Sequence, residues 1–169
     1  MAITKIQSES LNLSDTYDFT GTVTGAGESN TPSFSAKQSG SQTITSDTDT
    51  LLNFATEIFD TDGAYDGTNK FTVPTGQGGK YFFNANLAMD SMYNENIIIG
   101  TLAKNGTNDQ TIRTRVIMAK DNASISFNIC GIVEADAGDY FQIKLYHNQG
   151  SNRTTNETRS SFRGFKISS

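Results

Sequence analysis

The sequence predicts an all-β protein, an antiparallel sandwich of two sheets built from short strands and tight turns. Only two prolines but fifteen glycines occur in the 169 residues, together with abundant Thr, Ser and Asn. That composition favours strands joined by turns over long helices. From Pro32 onward apolar residues alternate with polar ones, and turn residues recur at the intervals typical of a sandwich.

The alternation predicts where the strands and the core lie. Strands are expected at residues 33–37, 51–58, 70–73, 80–88, 96–104, 110–118, 124–133, 139–147 and 160–167. Three strand faces should build the core: Tyr81, Phe83, Ala85 and Leu87; Ile125, Phe127 and Ile129; Phe141, Ile143 and Leu145. Glycines are expected to adopt positive φ in the turns at Gly63, Gly67, Gly76, Gly79, Gly106, Gly138 and Gly150.

Two segments are apolar on both faces of their strands. They are Ile97–Ile99 and Val116–Met118, where a water-exposed sandwich would show alternation. The second face of each segment needs cover. We expect that cover from a neighbouring subunit, and a larger internal core is the alternative.

The length fits one domain with a short appendage. Residues 1–31 include a small, polar stretch, Thr20–Ser29, and are interpreted as an N-terminal anchor or linker, with residues 32–169 as the domain. Apolar residues early in the chain would anchor it on a partner, although a frayed terminus would look the same. They are Ile3, Ile6, Leu11 and Leu13.

Charge and composition exclude several classes of function. The net charge is −5 and the pI about 4.7, so no basic surface is expected for nucleic acid. Arg113, Arg115 and Lys120 are interpreted as a solvated strand face. The first residues lack the apolar core of a signal peptide, and no apolar run is long enough for membrane insertion. Cys130 is the single cysteine, expected at a subunit contact or as a buried inert thiol.

Eight short segments occur in an order that resembles a known family. They are Phe34-Ser35-Ala36, Phe59-Asp60, Tyr65-Asp66, Phe71-Thr72-Val73-Pro74, Gly79-Lys80-Tyr81-Phe82-Phe83, Asn105-Gly106, Gly138-Asp139 and Ser161-Phe162-Arg163-Gly164-Phe165. Together they resemble the globular head of the complement q subcomponent, a branch of the tumour-necrosis-factor-like jelly rolls. The resemblance covers residues 32–168.

The resemblance implies a jelly roll of about ten strands, a tight homotrimer, and binding rather than catalysis. It also implies a stalk, although the collagen-like Gly-X-Y repeat of many family members is absent from this sequence. Phe162 and Phe165 should place their rings on opposite faces of the last strand, with Gly164 allowing close approach. Tyr65 and Tyr81 are expected to keep their hydroxyl groups hydrogen-bonded, which would suit a subunit interface.

Catalytic and metal-binding groups are sparse. The only histidine, His147, follows a core strand without a recognisable nucleophile, so no enzyme is predicted, and a jelly-roll hydrolase is a minor alternative. No cofactor is expected. Asp60, Asp62 and Asp66 could offer oxygen ligands to calcium. However, position twelve of a helix-loop-helix calcium loop would be Phe71, and tight turns select the same residues.

If successive strands alternate in direction, the loops sort to two poles. Residues 88–95, 119–123 and 148–159 should lie at the pole distal to the linker, and residues 105–109 and 134–138 at the linker pole. The distal loops carry aromatic, amide and guanidinium groups, which suit sugars or polar protein surfaces, although ordinary solvated loops have the same composition. The candidate partner-binding residues are Met92, Tyr93, Asn94, Arg153, Asn156 and Arg159.

These observations favour a phage virion protein: a tail-fibre, knob, head-fibre or decoration subunit. Residues 1–31 would dock to a virion component, and the trimeric head would bind a host surface protein or glycan. The protein would reach the virion surface, outside the cell, after lysis. The alternative is a secreted lectin-like or cytokine-like binding module.

Overall fold

The structure, a computed structural model, describes residues 30–168. Within this range lie twelve strands and one short 3-10 helix, Glu157–Arg159. The strands are β1 (Ser33–Lys37), β2 (Thr43–Ile44), β3 (Thr50–Leu51), β4 (Thr56–Asp60), β5 (Phe71–Thr72), β6 (Gly79–Met92), β7 (Ile97–Lys104), β8 (Thr107–Ile117), β9 (Ala123–Ala135), β10 (Tyr140–His147), β11 (Arg153–Thr154) and β12 (Ser161–Ser168).

The strands form two antiparallel sheets packed face to face. The first sheet has the order β4-β1-β12-β6-β9, and the second has the order β3-β10-β7-β8 with β5 also paired to β10. A separate ribbon joins β2 and β11. This arrangement confirms the predicted all-β jelly roll.

Most predicted strands are present, with boundaries shifted by a few residues. The expected strand 51–58 is wrong: it is divided between β3, which pairs with β10, and β4, which pairs with β1. The chain crosses between the sheets there, and the buried Leu52 and Phe54 fill the edge of the core. The two-residue strands β2 and β11 were not expected, because they are too short to show a periodicity.

The core lies between the sheets and is rich in aromatic rings. All four predicted residues of β6 and all three of β10 are at most 1% exposed, and Ile129 is buried with Ile125 and Phe127 packed beside it. Phe34 connects the two layers, with its ring centroid 4.9 Å from those of both Phe71 and Phe162. The predicted core faces are therefore confirmed.

Backbone details follow the expectations from the sequence. All seven predicted turn glycines have positive φ. At Gly164 a Cβ atom would lie 2.5 Å from Phe83 Cδ1 and 2.9 Å from the Phe82 carbonyl oxygen, so a side chain has no room. Tyr65 and Tyr81 lie inside the single chain rather than at its surface, and they donate to the carbonyls of Phe54 and Gln77 at 3.1 and 2.6 Å. Burial raises the pKa of Tyr81 to about 12.

Candidate functional site

The strand pairing places the loops at two poles, as the alternation of strand direction predicts. β12 pairs Ser161 with Asn86 and Lys166 with Tyr81, so it runs from the distal pole to the linker pole, which we call the proximal pole. The chain enters β1 at the proximal pole, where Asn30 Nδ2 donates to the Lys166 carbonyl at 3.0 Å. We define the distal pole as residues 93–96, 118–122 and 148–160.

Tyr93 and Arg153 are two predicted residues from different loops whose side chains the distal pole brings together. The Arg153 guanidinium carbon lies 5.3 Å from the centroid of the Tyr93 ring, which is 43% exposed. The ribbon of β2 and β11 positions Arg153. With its amide oxygen turned toward the donors, Gln149 accepts from the Arg153 guanidinium at 2.8 and 3.0 Å. The pair thus presents a ring and a cation at the surface.

The other candidate residues of the distal pole differ in availability. The backbone of exposed Asn94 is fixed by a bond from its N–H to Asp121 at 2.8 Å. The amide of Asn156 is committed, since it donates to Asp90 at 3.0 Å and accepts from Thr158 at 2.7 Å. Arg159 is exposed at the end of the 3-10 helix. Met92 is fully buried in the core, so it supports the loop from beneath.

The carboxylates proposed for calcium instead hold the turn after β4. Asp60 accepts from the Tyr65 N–H at 2.8 Å, and Asp66 Oδ1 accepts from three backbone amides of residues 68–70 at 2.8–3.0 Å. Partial burial raises the pKa of Asp66, but these amide donors outweigh it and hold the pKa below its ordinary value. Between residues 30 and 168, no group of three acidic, His or Cys side chains is arranged to hold a metal ion.

His147 is a core residue that orients the distal pole. Its side chain is fully buried, with Nε2 3.0 Å from the Ile44 carbonyl oxygen. Its Nδ1 accepts from the Gln149 N–H at 3.2 Å, which fixes the segment that contacts Tyr93 and Arg153. Because both ring nitrogens are engaged with backbone, this histidine has a structural role.

A second candidate surface lies on the outward face of the first sheet. We call it the aromatic face and define it by Phe59, Phe82, Ile132 and Phe165. Phe82 pairs across the sheet with both Phe165 and Ile132, and the Phe82 and Phe165 rings are 5.5 Å apart. Phe59, Phe82 and Phe165 line a shallow groove of about 250 Å³. Ile132 is 62% exposed and Phe59 49% exposed, so the face lacks cover in the single chain.

The sequence predicted only part of this face. Phe165 was expected to point away from the core, whereas Phe82 was hidden between the core residues Tyr81 and Phe83. Cys130 is exposed beside Ile132 on the same side of β9, so the expectation of a buried thiol is wrong for the single chain. Apolar side chains at outward positions of β6 and β9 were the sequence features that could have indicated the face.

No known protein-family model matches the sequence, and no curated protein matches it. Among solved structures, the globular domain of zebrafish complement 1qA protein has 16% identity and a TM-score of 0.58, covering 81% of this chain and 98% of that one.

Two further structures share the fold. Murine APRIL has 12% identity and a TM-score of 0.56, covering 80% of this chain and 98% of that chain. Eiger TNF from S. frugiperda has 10% identity and a TM-score of 0.53, with 80% and 90% covered. The resemblance drawn from the sequence motifs is therefore confirmed at the level of the fold.

Proposed function

We propose that the chain is a non-enzymatic recognition module that works as a homotrimer, packed through the aromatic face. The observation that carries this proposal is the exposure of Phe59, Ile132 and Phe165 on one continuous side of the first sheet. Monomeric proteins rarely leave such a contiguous apolar patch in water. These side chains are already partly covered, so covering the rest of each would contribute about 1 kcal/mol, roughly half the gain from burying a fully exposed side chain. The defining residues lie on four of the five strands, from one edge of the sheet to the other, so the face offers a broad surface for a neighbouring copy.

Trimer formation through the aromatic face leaves the distal pole free. The pole lies at the end of the strands rather than on the sheet face, so each copy would present its Tyr93 and Arg153 pair. Three weak sites on one rigid body bind a repeated ligand far more tightly than one site alone. A stacked ring and guanidinium group suit a polar protein surface or a saccharide.

The interface is tested by a pair of charge substitutions. Ile132→Glu places a carboxylate in the aromatic face, whereas Ile117→Glu is the matched control because Ile117 is 55% exposed on the second sheet. Sedimentation of the full chain should give a single-chain mass for Ile132→Glu and an unchanged trimer mass for Ile117→Glu, since an unpaired buried charge is costly. Equal masses for both variants at micromolar concentration would contradict the proposed interface.

The distal pole is tested with a glycan array and with whole-cell adhesion. The double variant Tyr93→Ala and Arg153→Ala should lose binding, whereas Thr158→Ala, an exposed residue of the same pole, should keep it. Circular dichroism and solution mass confirm that the variants stay folded and trimeric. Full binding by the double variant would remove the distal pole from the proposal.

The more specific proposal is that the module belongs to a phage virion, where it serves as a tail-fibre, knob or head-fibre subunit. Support comes from the chain entering the fold at the proximal pole, so docking through residues 1–31 would point the distal pole outward. Cryo-microscopy of purified particles should show threefold density of this shape. Protein found only in the particle-free culture medium would instead favour the secreted binding module.

A further inference from the structure

The outward face of the second sheet carries a groove that is chemically unlike the aromatic face. We call it the arginine groove. Its floor is Ile97 and Ile99 of β7, and the groove has a volume of about 450 Å³. Arg113 and Arg115 of β8 line one side, and Tyr146 of β10 lines the other. Each of the two isoleucines is partly buried, so the floor is apolar yet accessible.

The strand register sets the width of the groove. Tyr146 pairs with Ile99, and Ile99 pairs with Arg115, so these three residues form one row across three strands. Adjacent strands lie about 4.8 Å apart, which separates Tyr146 from Arg115 by about 10 Å at the backbone. The space above Ile99 is therefore wide enough for one sugar ring with its substituents.

The two arginines lack carboxylate partners. The one ion pair among residues 30–168 joins Lys104 and Asp139, at the proximal pole. Arg113 donates to Gln110 Oε1 at 2.6 Å, and the exposed Arg115 has no side-chain partner in the described part of the chain. Both side chains are exposed, and they share one side of β8 because they are two residues apart. A planar guanidinium group binds a carboxylate or sulfate with two parallel hydrogen bonds.

Acceptors lie in the groove and beside it: Asp49 and Asn108 belong to its lining, and Asp47 lies beside Tyr146. Tyr146 donates its hydroxyl to Asp47 at 3.0 Å, and Asp49 accepts from Asn108 Nδ2 at 2.8 Å. The Asn108 Oδ1 atom is buried and has no donor among the described residues. Ligand hydroxyl groups are donors that carboxylates bind well. The two aspartates also repel a ligand with negative charge along its whole length, such as nucleic acid or an acidic peptide.

From this polarity we propose that the arginine groove binds a saccharide unit that carries one carboxylate or sulfate. The anion contacts Arg113 and Arg115, the hydroxyl groups face Asp49, and the ring packs over Ile99 beside Tyr146. The site is independent of the distal pole. It also stays open in a trimer built on the first sheet, because the groove lies on the opposite sheet.

Nuclear magnetic resonance titration of the full chain tests the site. The probes are glucuronate and glucose 6-sulfate, with glucose as the neutral control and hexaglutamate as the acidic peptide. Glucuronate or glucose 6-sulfate should shift the amide signals of Ile97, Ile99, Arg115 and Tyr146, and glucose should not. In Arg115→Gln the half-saturating concentration should rise at least about tenfold, as expected when a charge-assisted hydrogen bond is lost.

A matched variant separates a local contact from a change in overall charge. Lys120→Gln removes one exposed positive charge in the loop after β8 and should bind the sugar acids as the unchanged protein does. Equal weakening by Lys120→Gln and Arg115→Gln would overturn the proposal, as would tighter binding of hexaglutamate. Shifts confined to the distal pole would also overturn it, while supporting the distal recognition surface. A failed trimer or distal-pole test leaves this site untouched, since its readout is the groove itself.

Discussion

The two sheets turn very different surfaces outward, although their inward faces share one core. The first sheet exposes Phe59, Ile132 and Phe165 with an aromatic groove. The second sheet exposes arginines, a tyrosine hydroxyl and aspartates around an isoleucine floor. Apolar area drives association with another protein surface. Arginines without carboxylate partners, beside carboxylates that can accept from ligand hydroxyl groups, suit a small polar ligand.

The comparison assigns different roles to exposed residues of the same type. Ile132 and Ile117 are exposed to a similar extent, at 62% and 55%. Ile132 belongs to a row of apolar side chains that crosses three strands, β9, β6 and β12. Ile117 pairs with one apolar residue, Ile97 of β7, and lies on the same side of β8 as Arg115. An exposed hydrophobic residue is therefore informative when the apolar row continues over several strands, rather than ending at one neighbour.

The largest expected effect concerns the reactivity of Cys130. In the proposed trimer the partner copy should shield this thiol, because it lies beside Ile132. We expect an aromatic disulfide reagent to modify the unchanged protein at least about tenfold more slowly than the Ile132→Glu variant, since reactivity follows access. Absorbance of the released thiolate measures both rates.

A thiol on the second sheet serves as the control for Cys130. Ile117→Cys in a Cys130→Ser background should react at the same rate with and without Ile132→Glu, because that surface stays open. Equal protection of both thiols would contradict the claim that a partner copy covers the first sheet and leaves the second sheet open.

A smaller effect is expected from adding one methyl group to each sheet. In Gly164→Ala the new Cβ atom meets Phe83 at 2.5 Å and the Phe82 carbonyl at 2.9 Å, so backbone must move. In Gly100→Ala it meets only side-chain atoms of Leu87, Phe127 and Ile129. We expect Gly164→Ala to lower the free energy of unfolding by about 2–3 kcal/mol and Gly100→Ala by about 1 kcal/mol.

Urea unfolding at one fixed protein concentration measures both glycine variants, because association adds to stability in a concentration-dependent way. A larger loss for Gly100→Ala would show that side-chain crowding in the second sheet is the more rigid constraint.

The smallest expected effect is a pH dependence of stability, which arises at the proximal pole where β7 ends and β10 begins. Lys104 Nζ lies 2.7 Å from Asp139, and Asn105 also donates to it, which together lower the pKa of Asp139 to about 2. The folded pKa is below the ordinary value of 3.8, so this stabilisation is present above about pH 4 and lost as pH falls toward 2.

The variant Asp139→Asn removes this contribution to the pH dependence. Its thermal midpoint should fall less steeply between pH 4 and pH 2 than that of the unchanged protein, as followed by circular dichroism. Parallel acid profiles for the two proteins would contradict the assignment to Asp139.

The sequence predicted the core and the poles because both depend on local alternation. Tyr81, Phe83 and Phe141 occupy every second position of long strands, and strand direction sorts the loops. The division of residues 51–58 between two sheets was missed, since alternation is the same on either sheet.

The two outward surfaces depend on pairing between strands that are distant in sequence. Tyr146 and Arg115 face each other only because Ile99 lies between them in the sheet. The sequence alone indicated that Arg113 and Arg115 lie on a solvated strand face. It gave no sign that Phe82, between the core residues Tyr81 and Phe83, belongs to an outward surface. Neighbours across strands, rather than periodicity along one strand, define these sites.

The solution mass of the full, unchanged chain tests the central claim most directly. Light scattering coupled to size exclusion at micromolar concentration should give three times the chain mass of 18.3 kDa. That result would support an aromatic face buried between copies, with the distal poles and arginine grooves left in solvent. A mass of one chain across the concentration range would contradict the trimer and the threefold gain in binding that depends on it.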